Sequence, residues 1–188
     1  MPKLIYSGNF GSSRSKELAN LDLGIFLLFH IGAVVTWMGS ALLTSSVLTP
    51  AISRISTGTR REIMLNLVPK LIGYMLVSAV VTISAGILTL AYVGSMDQSM
   101  FPRQWSLISL LLGAFLGFSA AMITFASLQP VSNKLSKLLQ KTENLTIADD
   151  DTSLEIEKAA ESLKNGTRIV SVMLVIVVVM MVIGANSI

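Results

Sequence analysis

The sequence predicts an all-α membrane protein: a bundle of four transmembrane helices with a cytoplasmic helical hairpin between spans three and four. Composition is the first reason. Hydrophobic residues make up 52% of the 188 residues and charged residues only 13%, where soluble domains carry roughly 25% charged. The second is segment length: four apolar runs are each long enough for the ~20-residue helix that crosses a ~30 Å hydrocarbon core. The third is where the charges sit, since Lys and Arg flank the apolar runs and hardly interrupt them. This arrangement makes the net charge of +3 a topology signal rather than a nucleic-acid surface, which would need the basic groups clustered on a soluble face. Cysteine is absent, which excludes disulfides and thiolate chemistry.

Residues 1–22 form a polar extracytoplasmic N-terminal tail containing Glu17 and Asp22, and the apolar run after it is too long for a signal-peptide core. A three-span core occupies residues 23–130. Span one runs from Leu23 to Thr49 without one Asp, Glu, Lys or Arg. Pro50 is expected to end it, because proline lacks a backbone donor and biases the residue before it away from the helix. A short link carrying Arg54, Arg60, Arg61 and Glu62 leads to span two, Leu67 to Val93, with Pro69 and Lys70 in its first turn. A loop with Met96, Asp97, Met100 and Arg103 precedes span three, Trp105 to Gln129, which Trp105 anchors at an interface and Pro130 closes.

Residues 131–168 are the main polar segment. Val131, Leu135, Leu138 and Leu139 recur at helical spacing opposite Lys134, Lys137 and Lys141, the pattern of an amphipathic helix suited to anionic headgroups. Asp149, Asp150 and Asp151 lead into a capping box, Thr152 to Glu155, opening a helix whose apolar side is Ile156, Ala159, Ala160 and Leu163, with Asn165-Gly166 as its expected stop. Span four lies in residues 169–188. Of the 14 Lys and Arg, ten fall in the 50–70 and 130–168 segments and four on the other side. The excess puts those segments in the cytoplasm and both termini outside, in a multi-pass cell-membrane protein. Leu48-Thr49-Pro50 is echoed by Leu128-Gln129-Pro130, a hint that spans one-two and three-four are parallel copies of one hairpin.

In lipid, small residues let helices approach closely. Gly32, Thr36, Ser40 and Thr44 in span one, Ser78, Thr82 and Gly86 in span two, and Ser109, Gly113, Gly117 and Ala121 in span three are the expected packing stripes. Span four has bulky Val172, Val175, Ile176 and Val179 instead, so spans one to three are expected to form the tight core and span four to pack peripherally.

Chemistry-bearing residues are few. His30 is the only histidine. It is either a neutral imidazole bonded to a neighbouring carbonyl or hydroxyl, or a ligand of copper or haem completed by other groups. Met96 and Met100 in the loop beside Asp97 are candidate copper thioethers, or packing residues. The acidic run 149–151 is either a hard-cation site or a solvated helix start. The spans hold no carboxylate, and no nucleophile constellation or phosphate loop is present. Proton-coupled transport and turnover by the chain alone are therefore not expected, which leaves small-molecule transport as a third and unsupported option.

The stretch FHIGAVVTWMGSALLTSSVLTPAI, with His30, Gly32, Trp37, Gly39 and Pro50, followed by Pro130, resembles the first-span signature of CopD-like and HemJ-like membrane proteins. The CopD-like resemblance implies copper uptake or company with copper membrane monooxygenases acting on methane or ammonia. The HemJ-like one implies haem at His30, with Lys70 as an available second ligand. The chain lacks the extra histidines of a copper importer. The expected function is a non-catalytic accessory or structural subunit of a larger membrane complex, a copper monooxygenase being one such complex, with lipid and other membrane subunits as partners.

Overall fold

The computed structural model describes residues 10–52, 54–96, 104–143 and 150–186, all but a few in helices. They form four long rods. The first is α1, Phe10–Leu42, continued through a π-helical turn at Leu43–Leu48 into α2, Thr49–Ile52. The second is α3, Thr57–Asn66, followed by α4, Val68–Met96, after a break at Leu67. The third is α5, Gln104–Ile123, a π-helical turn at Thr124–Leu128, and α6, Gln129–Glu143. The fourth is a single helix, α7, Asp150–Asn186. Each rod contains a segment long and apolar enough to cross a membrane, with mean hydropathy between 1.9 and 2.6.

α1 packs chiefly on α4 and α5 on α7, and the two hairpins meet through α1 against α7 and α4 against α5 and α6. The core where they meet draws on all four rods: Trp37 and Ala41, Ile72 and Met75, Ala120 and Leu128, Val170 and Leu174. This corrects the expectation of a peripheral fourth span. The apolar window of that span is 28% buried against 17% for the first, because Val170 and Leu174 join the core with Ala120 and Leu128, while the bulky Val172, Val175, Ile176 and Val179 lie on its exposed side.

Neither Pro50 nor Pro130 ends a helix. Each directly follows the C-cap of a π turn, in which the N–H of Thr49 bonds Thr44 O and that of Gln129 bonds Thr124 O, five residues back. The wider turn moves away the carbonyl that a proline ring would strike, and no donor is demanded of the proline. Thr44 and Thr124 stand at equivalent positions of the two turns. Both are buried and return their hydroxyls to the carbonyls of Ser40 and Ala120 at 2.7 and 2.9 Å. The expected repeat thus acquires a structural signature: one π turn with a buried threonine before one proline in each hairpin.

Asn165-Gly166 does not stop α7 either, since no glycine in the described chain adopts positive φ. Gly166 serves packing. A Cβ there would lie 2.5 Å from Leu128 Cδ2. Likewise Thr152 falls inside the first turn of α7 rather than capping a separate helix.

Beyond the apolar zone, α3, α6 and the start of α7 make a small cap. Leu135, Leu139 and Ala159 form its core with Met64, Leu65 and Ile156 against it, as the amphipathic spacing of residues 131–168 requires. Arg61 Nη2 donates to Leu139 O at 2.7 Å, tying α3 to the end of α6, and Lys134 pairs with Glu155 at 3.2 Å. The hairpin expected here is thus a three-helix cap, because the link after Pro50 is itself helical.

Candidate functional site

His30 lies on the face of α1 that meets α4. Four and seven residues on, Val34 and Trp37 continue that face into the core. His30 Nδ1–H donates to the carbonyl of Thr82 at 2.8 Å, and the ring sits over Gly86, where a Cβ would come within 3.0 Å of Cε1. A glycine one turn past the bonded carbonyl is therefore what admits an imidazole between two helices. At the repeat-related position, Leu110 stands over Gly184 in the same way, its Cγ 3.3 Å from where a Cβ would be. His30 thus occupies a packing position that the second hairpin fills with leucine.

The bond to Thr82 fixes the tautomer and leaves Nε2 with a lone pair, an arrangement also found in metal-ligating histidines. The remaining donors do not converge on it. Lys70 is exposed at the far end of α4, ~18 Å along that helix from Thr82. Met96 closes α4, ~15 Å past Gly86 in the other direction. The side chain of Met96 lies outside the described residues, as do Asp97, Met100, Asp149 and the side chain of Trp105. Among the described residues no group of three His, Cys, Asp or Glu side chains comes together. One nitrogen is too few for copper, so a metal or haem at His30 would need further ligands. Replacing His30 by alanine is expected to lower thermal stability in detergent by about 1 kcal/mol, the scale of interhelical polar contacts in membrane bundles. A loss above about 3 kcal/mol would show that it holds more than Thr82.

The packing stripes divide. Ser78, Thr82, Ser109 and Gly113 are buried, Gly113 against Val177, Met180 and Met181, and Ala121 packs on the core. A Cβ at Gly32, Gly39 or Gly117 would meet nothing within 4 Å. Thr36 is exposed and Ser40 half-exposed, each folding its hydroxyl back on the carbonyl four residues earlier at 2.8 Å. The reason is angular: Gly32 is two residues before Val34, and so ~200° around α1 from its packing face. What the sequence presents as a seam of the bundle is, on α1, an outward notch flanked by exposed Leu28, Phe29, Val35 and Leu43.

A feature that sequence spacing does not reveal lies at the cap end. A cavity of about 740 Å³ opens between the first and fourth rods and α3. It is lined by Thr44, Ser45 and Ser46 of the first π turn and by the charged residues Arg60, Glu157, Glu161, Lys164 and Arg168. Below it a cleft of about 280 Å³ runs on between Leu42 and the α7 residues Val172, Val175 and Ile176. Ser45, Ser46 and Arg168 line both, and Ser45 Oγ shares a hydrogen bond with Ser171 Oγ at 2.9 Å where the two spaces join. The cues available in sequence, a charged stripe at residues 157, 161, 164 and 168, look like an ordinary solvated helix face until the first rod is placed beside them.

Compared with protein-family models, with curated proteins and with solved structures, the chain matches none.

Proposed function

We infer that the chain is a non-catalytic membrane protein that serves as an accessory subunit of a larger membrane complex. The outward notch on α1 carries this reading. Gly32, Thr36 and Gly39 form a small-residue face whose hydroxyl is already satisfied within its own helix, bordered by large apolar side chains. Such faces let a second membrane helix approach closely, where lipid chains gain nothing comparable. The excess of Lys and Arg in and around the cap supports an orientation with the cap in the cytoplasm and both termini outside, in the cell membrane. The resemblance to CopD-like proteins nominates a copper-dependent monooxygenase of the methane or ammonia type as the complex.

Solubilisation of native membranes in mild detergent followed by native mass spectrometry tests this. The expected result is a mass above that of the 20.2 kDa chain, made up by other membrane subunits. A lone monomer, or a chain that turns over a substrate unaided, contradicts the proposal. The rival, copper or haem handling at His30, needs further ligands from methionines, backbone oxygens or another chain. Metal analysis and a visible spectrum of that same preparation, wild type against His30→Ala, separate the two: a signal lost with the histidine favours the rival.

A further inference from the structure

We propose that the cavity and cleft between the first and fourth rods are one binding site for a membrane phospholipid whose headgroup carries a protonated amine. The chemistry along α7 is layered. Val172, Val175 and Ile176 line an apolar cleft and are each exposed on its outer side. One turn up, Arg168 stands at the junction of cleft and cavity; Lys164 follows after ~6 Å of helix rise, and Glu161 and Glu157 come next. These four charged residues, separated by three or four positions each, share one face of the helix. From the middle of the membrane outward the order is thus apolar, cationic, anionic. An amine phospholipid presents the matching order: hydrocarbon chain, phosphate, ammonium.

Local structure supplies the rest of the site. The first π turn brings Ser45 and Ser46 to the same two spaces as Arg168, so hydroxyls from the first rod and a guanidinium from the fourth are available to a phosphate, while the Thr44 hydroxyl stays bonded to Ser40 O. Arg60 on α3 adds a second guanidinium to the cavity lining. Among the described residues neither Arg60 nor Arg168 makes an ion pair, and both are exposed. An anionic glycerol headgroup would satisfy the cations but leave Glu157 and Glu161 facing a negative ligand. The acidic pair is what selects the amine.

The test uses the full chain, delipidated in detergent and titrated with phosphatidylethanolamine or phosphatidylglycerol under native mass spectrometry. One phosphatidylethanolamine is expected to remain bound per chain, about threefold tighter than phosphatidylglycerol, the scale of a solvent-accessible ion pair. Arg168→Gln is expected to weaken both lipids about tenfold, as loss of a charge-assisted hydrogen bond does. The double variant Glu157→Gln, Glu161→Gln should abolish the preference while phosphatidylglycerol still binds. Val175→Trp, which fills the cleft from its lipid-facing side, should remove the bound lipid. Equal or tighter binding of phosphatidylglycerol to the wild type overturns the proposal, whatever becomes of the variants. So does displacement by soluble phosphoethanolamine at the same concentration as the lipid, which would mean that the cleft takes no chain. A loss on Lys137→Gln, outside the cavity, as large as that on Arg168→Gln would show generic attraction to the surface and overturn it too.

Discussion

Replacing Trp37 by alanine is expected to destabilise the bundle by about 3 kcal/mol, the lower end of the range for Trp→Ala in protein cores. The indole is 1% exposed and lies in the cluster to which all four rods contribute. The lower end applies because the alternative environment of a membrane helix is lipid, as apolar as the core, so the loss comes from the void and its missing packing contacts rather than from transfer out of water. Trp37→Phe should be far milder. It keeps most of the packing and removes an indole N–H that is buried without a hydrogen-bond partner among the described residues. Thermal unfolding of the three proteins in one detergent gives the order wild type, phenylalanine, alanine. Equal stability of wild type and the alanine variant would mean that the hairpins do not meet where Trp37 places them.

Gly166 offers a test in which two physical effects have opposite signs. Helix propensity alone makes Gly→Ala stabilising by about 1 kcal/mol, and Gly73, with nothing within 4 Å of its would-be Cβ, should show that gain. At Gly166 the added carbon would lie 2.5 Å from Leu128 Cδ2, and Leu128 is itself buried at the end of the second π turn. Overpacking of this kind costs about 1–3 kcal/mol, so Gly166→Ala should be destabilising or neutral. Gly166→Val, whose branches cannot turn away, should lose about 3 kcal/mol. Unfolding midpoints of the three variants decide it: a gain at position 166 as large as that at 73 would separate α7 from the third rod.

Much of this arrangement is legible in the residues themselves. Four charge-poor runs, the amphipathic spacing of Leu135 and Leu139, and the recurrence of Leu-x-Pro in the second half of the chain all correspond to what the rods, the cap and the two hairpins do. The failures share a cause. Pro50, Pro130 and Asn165-Gly166 are local stop signals, and in each case tertiary packing or a widened turn overrides local preference. The α1 stripe misleads for a related reason: small residues mark a face fit for close approach, but not which helix approaches it. His30 is legible as a choice between two roles, but its partner, the carbonyl of Thr82 on α4, is not legible before the two helices are placed together. The polar cavity is not legible, since Arg60, Ser45 and Arg168 are far apart in sequence and meet only when the first and fourth rods lie side by side.

The proposal that α1 receives a foreign helix is open to a direct measurement, because the chain has no cysteine of its own. Single cysteines placed at Gly32, Gly39 and, as a buried control, Ala41 would each carry a photoactivatable cross-linker in native membranes. Adducts to another membrane protein are predicted from Gly32 and Gly39 and none from Ala41. Adducts to lipid alone, or protein adducts equal at all three positions, would contradict the account.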